Sequence, residues 1–429
     1  MKVLLIGGGG REAALAWALS QSGRLSQLDC APGNAGIARH ANCLDLSATD
    51  VDALVRHAIE VRYDLVVVGP EAPLVDGLVD RLREHDIAAF GPSAAAARME
   101  GSKIFSKRFM QRHGIPTGEF EAVEDFATAR AYLEATDRRY PLVVKADGLA
   151  AGKGVIIAES PEQAVEAAES MLSGEGFGDA GRRVLIEEFL TGREASFFVL
   201  ADGHTAVELA TCQDYKRAHD GDRGPNTGGM GTYSPSVYLD DALKQTIRRT
   251  IVEPTLAGMK QEEFPFKGVL FIGVMLTDRG PQVLEYNVRF GDPETQVLIP
   301  RLDGDWLDLL DRCARGSLAE ASVRWDPRSA VCVVMAAGGY PGAYGKGFPI
   351  EGLDAAGEMH DVHVFHAGTA FDETQQVVTS GGRVLGVTAL GENLNDARER
   401  AYSATRKIQW QDEQHRGDIA ADAIERRDG

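Results

Sequence analysis

The sequence predicts a multidomain protein of mixed α/β and α+β class, and three features of the chain support this. The first hundred residues alternate apolar runs with helical segments, the middle of the chain carries glycine loops between paired apolar runs, and the composition shifts again near residue 325. With 429 residues, the chain has room for about three domains. We expect a doubly wound α/β domain at 1–102, a central domain at 103–324 and a small α+β domain at 325–429.

The amino-terminal domain is predicted from apolar runs that end in glycine or proline, which is typical of parallel strands buried on both faces. Strands are predicted at Lys2–Gly7, Asp64–Gly69 and Ile87–Phe90, and a helix is predicted at Arg11–Ser20, after the first strand. Gly8, Gly10 and Ala13 match a Rossmann dinucleotide fingerprint, so the fold is expected to be Rossmann-like. A dinucleotide dehydrogenase is one alternative function, although no acidic residue clearly ends the second strand.

The central domain is predicted from antiparallel strand pairs. A helix is expected at Lys107–His113, and strands are expected at Pro141–Ala146, Gly154–Ala158, 182–190, 195–202, Gly268–Thr277 and Gln282–Val288. We expect about 121–190 to form a small mobile lid.

The carboxyl-terminal domain is predicted from strands at Ala330–Ala337, His363–His366 and Val384–Ala389 and a helix at Asn393–Ile408. His360, His363 and His366 resemble a metal cluster. Residues three apart on a strand point to opposite faces, however, so we expect no zinc site there.

Composition and charge exclude several classes of protein. The formal net charge of −19 disfavours nucleic acid and anionic membrane surfaces as partners. Five cysteines without a CxxC pair indicate a reducing compartment with neither zinc nor disulfides. The first apolar run ends after about five residues, and no run reaches the length of a membrane span. We therefore expect a cytoplasmic protein.

The glycine-rich segment KADGLAAGKG at 145–154 predicts a phosphate site. It is not a Walker A loop, because a strand follows it instead of a helix. A hairpin of this composition still offers backbone amides to phosphate oxygens, at Gly152, Lys153 and Gly154, beside the fixed cation Lys145. A plain hairpin is the alternative. A second loop, GPNTGGMG at 224–231, adds Asn226 and Thr227 as polar contacts.

The segment LEYNVRFGDPETQ at 284–296 predicts a metal site. Glu285, Asn287 and Arg289 would share one face of a strand, because side chains alternate with period two. Carboxylate and amide oxygens suit Mg²⁺, with Mn²⁺ as a substitute, and Arg289 could grip a carboxylate bidentately. A solvated edge-strand face is the alternative reading.

A nucleotide base site is predicted from the run EEFL at 187–190 and from Glu194. Backbone groups of Glu187, Glu188, Phe189 and Leu190 could read an adenine edge, and Glu194 could bind the ribose hydroxyls.

In this order the motifs resemble the ATP-grasp superfamily, and more closely the phosphoribosylamine–glycine ligases, also called glycinamide ribonucleotide synthetases. The resemblance covers almost the whole chain and includes GPEAPL at 69–74, EGSK at 100–103, VMAAGGYPG at 334–342, FHAGT at 365–369 and VVTSGGRVL at 377–385. Three positions depart from the family pattern. Gly8 replaces a polar residue, Ala13 a histidine and Val288 a frequent cysteine.

The resemblance implies a set of site residues. Those implied for ATP are Lys103 and Lys145 at the phosphates, Glu187 to Leu190 at the adenine and Glu194 at the ribose, with Glu285 and Asn287 as metal ligands. Those implied for glycine and the acyl phosphate are Arg289, Asp214, Asn226 and Thr227. The residues implied as catalytic are Arg289, Asp214 and Lys145. Those implied for phosphoribosylamine are Gly9, Gly10, Arg11 and Glu71.

The implied activity is ATP-dependent ligation of glycine to 5-phosphoribosylamine by way of glycyl phosphate. The alternatives are another ATP-grasp carboxylate–amine ligase, the dehydrogenase, and a non-catalytic nucleotide-binding module. The implied protein is a monomer without nucleic-acid or membrane partners. It would make transient contact with the amidophosphoribosyltransferase that produces the amine.

Overall fold

The computed structural model describes residues 1–135, 137–149, 154–173 and 182–428. Within these ranges, none of the helices combines the length and the apolar character needed to cross a membrane.

The amino-terminal region is a parallel sheet with helices packed on it. Its elements are β1 (Lys2–Gly7), α1 (Gly10–Ser20), β2 (Gln27–Pro32), β3 (Asn42–Cys43), α2 (Val51–Val61), β4 (Leu65–Val68), α3 (Glu71–Val75), α4 (Leu78–Arg83), β5 (Ala89–Phe90) and α5 (Ala94–Gly101). The strand order is β3-β2-β1-β4-β5, and every pairing is parallel. The strands predicted at 2–7, 64–69 and 87–90 are confirmed, the last of them shortened to two residues.

The predicted lid is an antiparallel sheet that follows α6 (Lys103–Arg112). Its elements are β6 (Phe120–Val123), α7 (Phe126–Leu133), β7 (Leu142–Ala146), β8 (Val155–Ala158), α8 (Pro161–Leu172) and β9 (Val184–Glu188). The strand order is β6-β9-β7-β8, and the predicted antiparallel pair is confirmed as β7 with β8. The two helices and the sheet enclose a separate hydrophobic core that includes Val144, Ala167 and Ile186.

A second antiparallel sheet faces the lid. The elements of this part of the chain are β10 (Arg193–Asp202), β11 (Ala206–Glu208), β12 (Gln213–Asp214), β13 (Arg217–His219), β14 (Arg223–Asn226), β15 (Gly231–Ser234), α9 (Asp241–Ile247), α10 (Glu253–Gln261), β16 (Lys267–Thr277), β17 (Gly280–Asn287), α11 (Glu294–Leu298) and α12 (Trp306–Arg315). The order β11-β10-β16-β17 leaves β17 at the edge of the sheet.

The carboxyl-terminal region completes a third sheet. Its elements are β18 (Ser329–Ala337), α13 (Leu353–Gly357), β19 (Val362–His366), β20 (Thr369–Phe371), β21 (Val377–Thr379), β22 (Arg383–Gly391), α14 (Leu394–Thr405), β23 (Glu413–Gln414) and α15 (Ala421–Asp428). The order β12-β15-β18-β22-β19 takes β12 and β15 from the preceding region, and β23 also pairs with β18. This sheet therefore crosses the boundary predicted at residue 325.

Two hydrophobic cores join the amino-terminal sheet to the β11-β10-β16-β17 sheet. Leu4 and Phe197 enter one core, and their neighbours Leu5 and Phe198 enter the other. This division follows from strand geometry, because successive side chains point to opposite faces. Both faces of β10 thus contribute side chains to a hydrophobic core.

The three histidines that resemble a metal cluster do not converge. His363 packs its ring 4.5 Å from that of Trp17, and His366 is buried beside Thr369. The His360 side chain is 89% exposed. Over the described residues, no group of three or more His, Cys, Asp or Glu side chains could hold a metal ion.

Candidate active site

A cleft of about 920 Å³ lies between the lid sheet and the β11-β10-β16-β17 sheet. Apolar side chains of both sheets face it, among them Val143, Ile157, Met275 and Leu284. The cleft brings together most of the residues that the sequence predicts for the site, namely Arg11, Glu71, Lys103, Lys145, Gly154, Glu187, Glu188, Phe189, Leu190, Glu194, Asp214, Asn226, Thr227, Glu285, Asn287 and Arg289. Gly152 and Lys153 lie outside the described residues.

Two lysines enter the cleft from opposite sides. Lys145, on β7, donates a hydrogen bond of 2.8 Å to Glu187 Oε2 on the neighbouring strand β9. Lys103, at the start of α6, donates at 2.8 Å to the carbonyl oxygen of Gly148 in the hairpin. Burial lowers the pKa of Lys103, against the opposing effect of Glu285. The two ammonium groups give this end of the cleft a positive character that suits phosphate.

A third lysine, Lys216, lies between Glu194 and Glu285. Its ammonium group contacts the Glu194 carboxylate and lies 3.8 Å from Glu285 Oε1. Burial acts to raise the pKa of Glu285, but the ammonium groups of Lys216, Lys145 and Lys103 outweigh it and hold this pKa below its ordinary value. Glu285 is therefore a carboxylate at neutral pH.

The predicted metal ligands lie on the cleft side of β17. Glu285 and Asn287 share a face because they are two residues apart on the strand. Both are hard oxygen donors, and Mg²⁺ prefers such ligands while taking the rest of its shell from phosphates and water. The donor set therefore fits an ion that arrives with a nucleotide. β17 is an edge strand, as the alternative reading expected, but this part of it faces the cleft.

The prediction that Arg289 belongs to the same strand is wrong, because β17 ends at Asn287. Arg289 Nε donates to Glu71 at 3.2 Å, and its Nη2 donates to Asn287 Oδ1 at 3.1 Å. Nη2 also forms an ion pair with Glu100, whose Oε1 lies 2.8 Å away. Burial acts to lower the pKa of Arg289, but Glu100 and Glu71 outweigh it and raise this pKa. The guanidinium is thus a partly buried cation that joins β17 to the amino-terminal region.

The amino-terminal loop differs from the prediction in its partners. The amide of Gly9 donates to Glu12 Oε2 at 2.7 Å, and the amide of Arg11 donates to Asp292 Oδ2 at 3.1 Å. Gly9 and Gly10 are not among the described residues that line the cleft. Protein carboxylates thus occupy the helix terminus where a dinucleotide phosphate would bind in a dehydrogenase.

Asp214 and Glu294 are two interacting carboxyl groups of the cleft, and only Asp214 was among the predicted site residues. Burial raises the pKa of Asp214 to about 6, and burial together with Asp214 raises that of Glu294 to about 8. Glu294 is 3% exposed. Sequence reasoning missed Glu294, since an acidic residue in the first turn of a helix is ordinarily a favourable charge at the helix terminus.

Other residues of the site were also missed. Glu100 and Lys107 line the cleft from the segment around α6, and Arg383 reaches it from β22. Arg383 Nη1 donates to the carbonyl oxygens of Gly228 at 2.5 Å and of Asp292 at 2.6 Å, which links the carboxyl-terminal region to the second glycine loop. The string VVTSGGRVL contains Arg383, but nothing in it marked the arginine as a site residue.

Comparison with known proteins agrees with this geometry. Three family models match, described as the phosphoribosylglycinamide synthetase N domain at residues 1–100, its ATP-grasp (A) domain at 101–295 and its C domain at 330–422. The chain is 50% identical over 426 residues to the phosphoribosylamine–glycine ligase of Agrobacterium fabrum, with 99% of each chain covered. It is 49% identical over 429 residues to the one of Escherichia coli O157:H7, again with 99% of each covered.

A solved structure shows the same fold. The phosphoribosylamine–glycine ligase of Thermotoga maritima matches with a TM-score of 0.85 and 35% identity, over 98% of this chain and 100% of that one.

Proposed function

The chain belongs to the phosphoribosylglycinamide synthetase family, and we propose that it joins glycine to 5-phosphoribosylamine at the expense of ATP. It is an ATP-grasp ligase of purine biosynthesis, and its products are glycinamide ribonucleotide, ADP and phosphate. The observation that carries this proposal is the convergence in one cleft of Lys103, Lys145, the oxygen pair Glu285 and Asn287, and the buried Arg289.

The chemistry needs no covalent intermediate on the protein. A carboxylate oxygen of glycine attacks the γ-phosphorus of ATP, the bond to the bridging oxygen breaks, and ADP leaves. The amine of phosphoribosylamine then attacks the carbonyl carbon of glycyl phosphate, loses a proton and expels phosphate. Lys103 and Lys145 bind and orient the phosphates, so most of the catalysis is positioning and exclusion of water.

The nucleotide contacts follow the cleft. We assign the phosphates to Lys103, Lys145 and the hairpin amides from Gly152 to Gly154, and the adenine to the apolar slot beside Glu187, Glu188, Phe189 and Leu190. Glu194 would bind the ribose. Magnesium or manganese, held by Glu285 and Asn287, would neutralise phosphate charge when bound.

The substrate contacts lie at the other end of the cleft. We assign glycine and the acyl phosphate to Arg289, Asp214, Asn226 and Thr227. Phosphoribosylamine would meet Arg11 and Glu71, which face the cleft. Contact with the amide of Gly9 would require Glu12 to move, because its carboxylate accepts the hydrogen bond from that amide. Gly10 is assigned to the same substrate.

Domain roles complete the proposal. Residues 1–102 would form a Rossmann-like substrate domain, 103–324 the ATP-grasp domain and 325–429 the carboxyl-terminal domain. The lid at about 121–190 would close over ATP, and its separate core supports movement as a unit. Equal protease sensitivity of this segment with and without ATP–Mg would contradict closure.

The setting of the reaction is also proposed. The net charge of −19 disfavours nucleic-acid and membrane partners. We propose a cytoplasmic monomer that meets the amidophosphoribosyltransferase transiently, since phosphoribosylamine is unstable.

The test is ADP release with ATP–Mg and glycine, with and without freshly made phosphoribosylamine. Turnover only with both substrates, lost in Lys145→Met, is expected. ATP binding without turnover would redirect the proposal to another carboxylate–amine ligase of the same fold.

A further inference from the structure

Lys107, a buried lysine of α6, has no role in the reaction proposed above. Its residue is 2% exposed, and its ammonium nitrogen donates to Thr117 Oγ1 at 2.7 Å. The same nitrogen lies 3.4 Å from the carbonyl oxygen of Gly118 and 3.6 Å from Glu187 Oε2. A desolvated ammonium group is unfavourable unless acceptors surround it, so these three oxygens retain it.

The acceptors of Lys107 lie at both ends of the lid. Thr117 and Gly118 belong to the segment that leads from α6 into β6, and Glu187 lies on β9, the last strand before the chain leaves the lid. Thr117 is itself fixed to the opposite sheet, because its hydroxyl donates to the carbonyl oxygen of Val283 at 2.7 Å. Lys107 thus contacts both segments by which the lid is attached, the one that enters β6 and the end of β9.

Glu187 is shared by two lysines at unequal distances. Its Oε2 atom lies 2.8 Å from Lys145 Nζ and 3.6 Å from Lys107 Nζ. One carboxylate neutralises one ammonium group, so the pair of lysines carries one positive charge in excess. Phosphates that draw Lys145 away would leave the buried Glu187 with Lys107 as its one close cation, 0.8 Å farther off than Lys145 is now (3.6 minus 2.8).

We propose that Lys107 is a positioning residue for nucleotide binding, which takes over Glu187 when the phosphates engage Lys145. The inference rests on the proposed ATP site. Through this exchange Lys107 keeps Glu187 neutralised and leaves Lys145 free for phosphate. It also links the segment that enters the lid to the strand by which the chain leaves it.

The exchange has a pH signature. Burial lowers the pKa of Lys107 to about 8, and the positive charge of Lys145 lowers it further. The carboxylates of Glu187 and Glu188 act in the opposite direction and raise this pKa. Exclusive pairing with Glu187 in the complex raises the pKa, so nucleotide binding takes up a proton above pH 8. Nucleotide affinity should fall as pH rises from 8 to 9.5, by at most about tenfold per pH unit.

The experiment compares two probes, MgADP and adenosine, by calorimetry on the full chain. In Lys107→Met we expect MgADP to bind about 10- to 100-fold more weakly, as for loss of a residue that orients a first ligand, and adenosine to change by less than about threefold. Lys107→Arg should keep MgADP affinity and show a shallower pH dependence than the unaltered protein, since a guanidinium does not titrate in this range. The part that remains is the contribution of Lys103, whose pKa burial also lowers.

Two control variants separate this effect from a loss of stability. Arg301→Met removes a buried cation that donates to Ser234 Oγ and to the carbonyl oxygen of Asp326 away from the cleft, and Lys260→Met removes an exposed lysine. Neither should change the ratio of the two dissociation constants.

Equal weakening of both probes in Lys107→Met, or a pH dependence in Lys107→Arg as steep as that of the unaltered protein, would overturn the inference. If Lys107→Met does not fold, the pH profile of Lys107→Arg decides alone. Failure of the unaltered protein to bind MgADP would instead overturn the proposed ATP site and the inference with it.

Discussion

The ion pairs of Arg289 make Arg289→Ala a quantitative test of how the cleft is stabilised. The substitution leaves Glu71 and Glu100 without their shared cation, in a site where the side chains of Arg289 and Glu100 are 16% and 8% exposed. Removal of one partner from a buried ion pair costs about 3–5 kcal/mol, because the remaining charge stays desolvated. We expect a loss of this size in the free energy of unfolding at pH 7, besides the loss of turnover.

The loss of stability should depend on pH in a defined direction. In the intact protein, burial acts to raise the pKa of Glu71, but Arg289 outweighs it and holds this pKa below its ordinary value. The stabilisation from this pair is therefore complete above the ordinary glutamate pKa and is lost as pH falls through the lowered one. In Arg289→Ala both glutamates protonate more readily, so the difference from the intact protein should shrink between pH 7 and pH 4.5.

Urea unfolding, followed by tryptophan fluorescence, measures these differences. The double variant Arg289→Ala/Glu100→Gln should regain about 1–3 kcal/mol over the single variant, since it removes the buried unpaired charge. Arg81→Ala is the control, because its pair with Asp52 is exposed and worth less than about 1 kcal/mol. The reasoning is refuted if Arg289→Ala is no less stable than Arg81→Ala, or if the second substitution restores nothing.

Three further predictions concern other groups of the site. Glu294→Gln should raise the free energy of unfolding at pH 8 by about 1–3 kcal/mol and leave it unchanged at pH 4. The reason is that the pKa of about 8 keeps Glu294 protonated in the folded protein at pH values where it ionises in the unfolded chain. Urea titrations at both pH values measure this difference. EDTA should abolish ADP release. Glu285→Ala should raise the magnesium concentration that gives the half-maximal rate by tenfold or more, because the variant lacks a direct metal ligand. A magnesium titration of the variant that matches that of the intact protein would contradict this. Arg383→Met should raise the KM for glycine by roughly tenfold and leave the KM for ATP unchanged in steady-state assays, because the variant loses charge-assisted bonds to Gly228 and Asp292.

The parts of the site that could be predicted from sequence are those fixed by the pattern of apolar, polar and glycine residues within a short stretch of chain. The antiparallel pair β7–β8 is predicted by two apolar runs around a glycine loop, and the structure confirms it with Leu142 opposite Ala158. Glu285 and Asn287 face the cleft together because their spacing alone fixes their side of a strand. The family resemblance added Lys103, for which no local pattern sufficed.

The parts that were missed depend on contacts distant in sequence. β2 was not predicted because Asp29 interrupts its apolar run, and its carboxylate is buried only because Tyr63, Gln27 and Asn42 donate to it. Lys107 resembles a surface residue of an amphipathic helix, since lysines are seldom buried without a partner.

The pairing of β15 with β18 affects how the chain must be made. The two strands are separated by about 95 residues, which a ribosome adds in roughly 5–20 s. Until then Gly231–Ser234 presents an unpaired edge directly behind the second glycine loop, and such edges invite association with other chains. A nascent or prematurely terminated polypeptide would therefore carry nearly every residue of the cleft without being able to close its sheet. We expect such fragments to engage chaperones and proteases, and two halves divided at residue 325 to recover activity only when synthesised together.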